Sequence, residues 1–284
     1  MLVLDLDKPE DLEMFYTIVS NICIVFAPPR TGKTSFMTAV ANATAFHRPF
    51  IKEQNSSIDE LNNGGFDIPY TDVVVVSNYH MEFRKYGYSR RYPYFVNPFR
   101  IGYKNKERDM AFILPYFKIF LTEGQKYLDS HTSLAIKSYQ SRAYEQCGHI
   151  DLNIFIDVQR PGLINANVRE IACFLEVLKL EKKYSRNNEL IECIWHLRLV
   201  KNFKILERYQ NTGDTSQVMD FKVKYKHDVF KMYNSQVYKP KWFDGHYNNE
   251  GLLKKTINYD NSVKGYMEYN SRLDDEIPKA KGEE

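Results

Sequence analysis

The chain is predicted to be an α/β protein: a central, mostly parallel sheet flanked by helices, with a β-rich C-terminal extension. Three observations carry this. Short apolar, β-branched runs recur up to residue 180: NICIVFA (21–27), DVVVVS (72–77), KIFLT (118–122), LNIFIDV (152–158) and ACFLEVLKL (172–180). They are continuous rather than alternating, as strands buried on both faces are, and helical stretches separate them, as parallel crossovers require. After Tyr184 the texture changes. Residues 189–209 and 218–233 alternate apolar and polar, with turns at 186–188 and 212–214, which predicts an antiparallel extension.

Each core element has its own signal. The run 21–27 leads into prolines and a glycine, so it reads as a buried strand feeding a loop. Residues 34–46 follow as a helix, with Phe36, Met37, Val40, Ala41 and Ala45 available for one face. Residues 52–71 are polar and carry NNGG at 62–65, read as a loop. The stretch 84–108 is rich in Arg, Lys and Tyr, an excursion from the core. A helical region is expected over 124–147. The resulting division is a core over 1–185, an extension of that core over 186–244, and a polar tail over 245–284 ending in KAKGEE.

Composition sets limits. Of 284 residues, 43% are apolar and 26% charged, so a sizeable core is available and wholesale disorder is excluded. A net charge of +3 neither demands nor excludes nucleic acid. Cys23, Cys147, Cys173 and Cys193 lack metal-ligand spacing and read as buried, reduced thiols, which suits a cytoplasmic protein. The acidic start MLVLDLDKPEDLE lacks a signal-peptide layout. No run approaches the roughly 18 apolar residues of a membrane span. The apolar stretch 111–121 is broken by Pro115 and Lys118. A cytoplasmic location without a transmembrane segment is expected.

The stretch VFAPPRTGKTS (25–35) carries the chemistry. It fits the phosphate-loop pattern G-x-x-x-x-G-K-[ST] at Gly32, Lys33 and Thr34, with Ala27 where the first glycine would stand. Backbone N–H groups from Pro29, Arg30, Thr31, Gly32, Lys33, Thr34 and Ser35, proline excepted, would curl around a nucleotide phosphate. Lys33 adds a charge on the β/γ oxygens, the Thr34 hydroxyl can coordinate Mg²⁺, and the following helix points its N-terminus at the anion. Ala27 is tolerable if its φ stays negative. A loop of this kind implies a P-loop NTPase, with ATP and Mg²⁺ as cofactors.

Such a site needs an acid at the end of a neighbouring strand. The segment FLTEGQ (120–125) offers Glu123 to polarise the attacking water and to share the metal with Thr34. Thr122 stands where an aspartate is typical. Weaker Mg²⁺ binding, or compensation by another acid, is therefore expected; Asp129 is a weak candidate.

Together, APPRTGKTS, the strand with TEGQ, and LNIFIDVQRPGLINANVRE resemble the zonular occludens toxin family, which includes assembly ATPases of filamentous phages, within the FtsK–HerA group. A late segment, YKHDVFKMYNS (225–235), adds to the likeness, which spans about residues 20–235. The resemblance implies that Gln159 orients water or senses the γ-phosphate. It implies that Arg142 or Arg169 acts across a subunit boundary as a finger on the developing charge. It also implies a homo-oligomeric ring acting on phage DNA or virion proteins in the host cytoplasm. Many filamentous phage members add a membrane span that has no counterpart here, so docking on a separate membrane protein at the inner face of the membrane is a further expectation.

Other features are weaker. RKYGYSRRYPYFVNPFRIGYKNK (84–106) interleaves cations and rings that suit a DNA channel or, equally, a solvated loop. The histidines show no paired metal spacing; His149 is a candidate support for the strand before Gln159. Trp195 is expected in the core of the extension, and Trp242 as an anchor for the tail. Three functions of different class follow: a virion-assembly or DNA-packaging ATPase motor; a poorly hydrolysing, nucleotide-gated adaptor, suggested by Ala27 and Thr122; and a membrane-disturbing toxin, suggested only by the family's name.

Overall fold

The computed structural model describes residues 1–64, 74–79, 81–83, 94–95, 117–128, 144 and 147–233. The central strand is β2 (Ile22–Phe26), with all five residues buried. It is paired in parallel with β6 (Asn153–Val158) on one side and β7 (Cys173–Tyr184) on the other. Burial on both faces is what the continuous apolar runs anticipate. Beyond β6 lie β5 (Lys118–Leu121), β3 (Val75–Ser77) and β4 (Tyr94–Phe95), all parallel. On the other side, β8 (Leu190–Val200) and β9 (Val218–Tyr225) are antiparallel additions, and β1 (Leu2–Asp5) closes that edge in parallel with β9. The described strands thus form one sheet in the order β1-β9-β8-β7-β2-β6-β5-β3-β4. It is a mixed α/β architecture with a mostly parallel centre.

One face carries α1 (Pro9–Ile18) and α2 (Lys33–Ala45). Phe15 stacks on Phe155 with ring centroids 5.9 Å apart, Phe155 on Phe120 at 5.0 Å, and Phe36 meets Phe15 and Trp195 edge-on. This aromatic layer locks α1 and α2 onto β5, β6 and β8. The other face carries α4 (Ala166–Ile171) and α5 (Phe203–Thr212), through Val168, Leu206 and the Phe174–Phe203 contact. Arg198 braces that face: it donates two hydrogen bonds to Asp220 and one to the Tyr209 hydroxyl, all 2.7 Å. All four cysteines are buried and free, and Trp195 is fully buried.

Two helices correct the sequence reading. Residues 52–63, read only as polar with the NNGG loop beginning at Asn62, belong to α3 (Arg48–Asn63). Its buried positions Phe50, Gln54, Ser57 and Ile58 recur at helical spacing, but two of the four are polar and conceal the stripe. Within the predicted alternating stretch 189–209, the strand ends at Val200 and α5 begins at Phe203. Its signals were local: the Asn202 side chain accepts from Ile205 N–H at 3.0 Å as an N-cap, and Gly213 closes the helix with φ 71°. The N-terminal segment, read only for its charge, forms β1 and α1. β7 runs four residues past its predicted end at Leu180, to Tyr184.

The expected helix over 124–147 lies mostly outside the described residues; of those, Tyr144 is α-helical, and 3-10 turns stand at Gly124–Lys126 and Cys147–Ile150. Apart from the backbone of Tyr94 and Phe95, the basic–aromatic stretch 84–106 lies outside them too, as do Asp129, Arg142, Trp242 and the tail. No helix among the described residues is long and apolar enough to cross a membrane.

Candidate functional site

The loop between β2 and α2 sits at the carboxyl edge of the parallel strands, where open α/β sheets bind ligands. Two of its residues have positive φ: Arg30 at 66° and Gly32 at 97°. Ala27 does not, so the methyl at the first-glycine position lies buried without backbone strain. The turn after Pro28 is closed by the Thr31 hydroxyl, which donates to the Pro28 carbonyl at 2.7 Å. Gly32 is the N-cap of α2, so the first N–H groups of that helix open toward the loop. Lys33 is only 8% exposed and folds back over the loop. Its Nζ donates to the carbonyl oxygens of Ala27 at 2.9 Å and Pro28 at 3.3 Å. The ammonium is thereby held across the mouth of the turn.

A cleft of about 440 Å³ opens over residues 30–35. Its other walls are Leu178, Lys179, Leu180 and Lys182 of β7, with Phe230 and Tyr233 from the segment after β9. The β7 wall depends on an irregularity. The register of β7 against β8 slips between Val177 and Lys179. Beyond that bulge Leu180 pairs with Trp195 and Lys182 with Cys193, so Leu180 and Lys182 share the face of α2. Without the slip, the alternation would turn Lys179 and Glu181 to that face instead. The result places Leu180 under Gly32 and the Lys182 ammonium 4.0 Å from the Phe230 ring centroid. None of the β7 wall residues was singled out from the sequence, because a bulge has no periodic signature; Phe230 and Tyr233 lie in the segment 225–235.

At the next strands, the structure reorganises the expected acidic partners. Glu123 follows β5 in the left-handed region, with φ 58°. Gly124 then packs against β6 so closely that a Cβ there would overlap Ile156. Asn78 pins the exit of β5: its Nδ2 donates to the Thr122 carbonyl at 3.1 Å, and its Oδ1 accepts from Thr122 N–H at 2.9 Å. The Glu123 carboxylate accepts from Gln125 Nε2 at 2.8 Å and lies 3.5 Å from Lys126 Nζ. Thr34 and Glu123 were expected to share a metal. The side chain that reaches Thr34 is instead Asp157, whose Oδ2 accepts from the Thr34 hydroxyl at 3.1 Å.

Asp157 is 6% exposed, set in β6 between the apolar residues Ile154, Phe155 and Ile156 and the final Val158. Burial lifts its carboxyl to about 6; the Lys33 charge opposes that rise, the Glu123 charge adds to it, and hydrogen bonds from Thr34 and from Glu123 N–H favour the ionised form. Along the chain Asp157 belongs to LNIFIDV, which reads as a strand and does not by itself mark a ligand. A lone carboxylate in an apolar run, one residue before the strand's last, was the available signal. Tyr79 closes the same corner, its hydroxyl 3.2 Å from that of Thr38, one turn along α2 from Thr34.

The remaining candidates fall elsewhere. Gln159 and Arg160 are exposed immediately beyond β6. Arg169 is in the last turn of α4, its guanidinium 4.3 Å from the Phe203 ring centroid, and it does not line the cleft. Phe203 follows β8, so this stack is at the amino edge of the parallel strands. Among the described residues no group of three or more His, Cys, Asp or Glu side chains converges to hold a metal alone. A divalent cation bound here would share its ligands with phosphate oxygens. A hydroxyl beside a buried carboxylate, above a helix N-terminus, fits that requirement.

A scan against the models of known families finds no match, and a search of curated proteins finds none. Among solved structures, the chain is similar to the N-terminal domain of zonular occludens toxin from Neisseria meningitidis. The likeness covers 76% of this chain and 100% of that one, at 14% identity and a TM-score of 0.41. A similarity of that size carries no argument about function.

Proposed function

We propose that this protein is a P-loop NTPase that binds ATP with Mg²⁺ and hydrolyses it. The observation that carries the reading is the meeting of loop and strand ends. Lys33 and the N-terminus of α2 face a cleft, while Thr34 touches a buried carboxylate on the strand beside β2. In the proposed reaction, N–H groups of residues 30–35 cup the β-phosphate and Lys33 extends its ammonium to the β/γ oxygens. Thr34 would hold a Mg²⁺ ion, which would supply neutralising charge at those oxygens. Glu123, released from Gln125 and Lys126, orients the attacking water, with Gln159 beside it. An arginine from a neighbouring subunit, Arg142 or Arg169, would complete the site in a ring.

The motor role follows from the ordered motifs that resemble the zonular occludens toxin family. On this reading hydrolysis drives virion assembly or DNA packaging, acting on phage DNA or virion proteins. A second reading is favoured by two observations: the Glu123 carboxylate is occupied by Gln125 and Lys126, and Thr122 carries no charge. The protein would then be a nucleotide-gated adaptor that turns over poorly while docked on a membrane assembly complex.

Calorimetric titration with MgADP and MgATP, then phosphate release with and without DNA, tests both. The motor predicts DNA-stimulated turnover that Lys33→Ala abolishes. Tight binding with no turnover selects the adaptor. No heat with either nucleotide refutes both.

A further inference from the structure

We infer that Asp157 is the carboxylate that holds the divalent cation together with Thr34, replacing the aspartate that position 122 lacks; this rests on the nucleotide-binding reading above. The pairing of β5 with β6 carries the argument. Phe120 is level with Phe155 and Leu121 with Ile156, so the next level brings Thr122 beside Asp157. Alternation sets both side chains on the face of Phe120 and Phe155, the face that packs on α1 and α2. The carboxylate missing at 122 is therefore present one strand over, at the same height and on the same face. Asp157 is also level with Val25 of β2, the strand that feeds the loop. Adjacent strands are about 4.8 Å apart, so the shift moves the charge one strand spacing nearer to Thr34.

The local bonds suit a ligand rather than a brace. Thr34 Oγ1 donates to Asp157 Oδ2 at 3.1 Å, and Glu123 N–H also donates to the carboxylate. Asparagine could accept both of those bonds. A structural role would thus be served without placing a charge among Ile154, Phe155, Ile156 and Val158, where burial disfavours it. The charge has a use if a cation arrives. Mg²⁺ is commonly held by one or two carboxylates plus substrate phosphates and waters, and Thr34 with Asp157 supplies that minimal set. Thr122 beside it retains only a hydroxyl.

The test compares ADP binding in EDTA with ADP binding in excess Mg²⁺, for the wild type, Asp157→Asn, and the double variant Asp157→Asn/Thr122→Asp. In the wild type, Mg²⁺ should tighten ADP binding by about tenfold or more. Asp157→Asn should keep its metal-free ADP affinity and lose most of the Mg²⁺ enhancement. The double variant, with the charge moved back across the strand pair, should regain part of it. An Asp157→Asn protein that keeps the full enhancement overturns the inference while leaving nucleotide binding intact. A wild type that binds no ADP under either condition overturns the nucleotide reading itself, and the inference with it.

Iron(II)-directed backbone cleavage of the wild type with bound ADP gives an answer that needs no variant. Cuts next to Thr34 and Asp157 support the assignment; cuts next to Glu123 without Asp157 overturn it.

Discussion

Leu180 lies directly against Gly32: a Cβ built on the glycine would stand 2.9 Å from Leu180 Cδ2 and 3.2 Å from Ser35 Oγ. The φ of 97° already excludes most side chains there, so Gly32→Ala meets both backbone strain and overlap. The strain alone costs about 1–2 kcal/mol. Gly32→Ala should lower the melting temperature and weaken ADP binding by at least about tenfold. Adding Leu180→Ala should not restore nucleotide affinity, because removing the overlap leaves the φ unchanged. Recovery of wild-type affinity in the double variant would show that the loop needs space rather than the left-handed turn.

Gly124→Ala probes the second close approach. Its methyl would overlap Ile156 Cγ2 and press on Val158 Cγ1, forcing β5's exit away from β6. Overpacking of this kind costs about 1–3 kcal/mol. The urea midpoint should fall accordingly. An unchanged midpoint would mean the turn at 123–124 yields freely.

Glu123→Gln separates binding from chemistry. If Glu123 polarises water, the variant should bind MgATP as the wild type does. Its single-turnover hydrolysis should slow by about 10²-fold or more. Equal rates would remove Glu123 from the reaction and strengthen the adaptor reading.

Lys118 predicts a pH signature in stability. It is 5% exposed, and burial lowers its ammonium from 10.5 to about 8, against the opposing charges of Glu53 and Asp151. Its Nζ donates to Asn153 Oδ1 at 2.5 Å and to the Asp151 carbonyl at 3.3 Å. Between pH 8 and 10.5 the unfolded chain keeps a proton that the folded chain has released. Stability from this group therefore rises with pH across that window and is flat below it, a change of up to about 3 kcal/mol. Lys118→Met should remove this term. The difference in urea midpoint between variant and wild type should be largest below pH 8 and shrink as pH rises. A constant difference from pH 7 to pH 10 would refute the assignment.

Much of this protein was written along the chain in local order. The runs around Ile24, Ile119, Ile154 and Phe174 announce buried parallel strands because burial on both faces demands continuous apolar sequence. The spacing of Gly32, Lys33 and Thr34 announces the turn between β2 and α2 because a glycine that can take a positive φ stands at the head of the helix. What the chain hid were two helices and whatever depended on register. α3 was masked by its buried Gln54 and Ser57, and α5 by a Phe-Ile-Leu-Tyr spacing that imitates alternation.

The site divides along the same line. Sequence alone determined the loop, its lysine and the place of Glu123 just past a strand, since each is made by neighbours in the chain. Only the tertiary structure decided which acid meets Thr34. Asp157 is 123 residues away, and it arrives there because β6 inserts between β2 and β5 with Val25 and Asp157 level. The bulge in β7 that turns Leu180 and Lys182 toward the loop was settled the same way. Pairing between strands sets which face and which height a side chain occupies. A one-residue change of register reverses the face, and nothing in a strand's own composition records it.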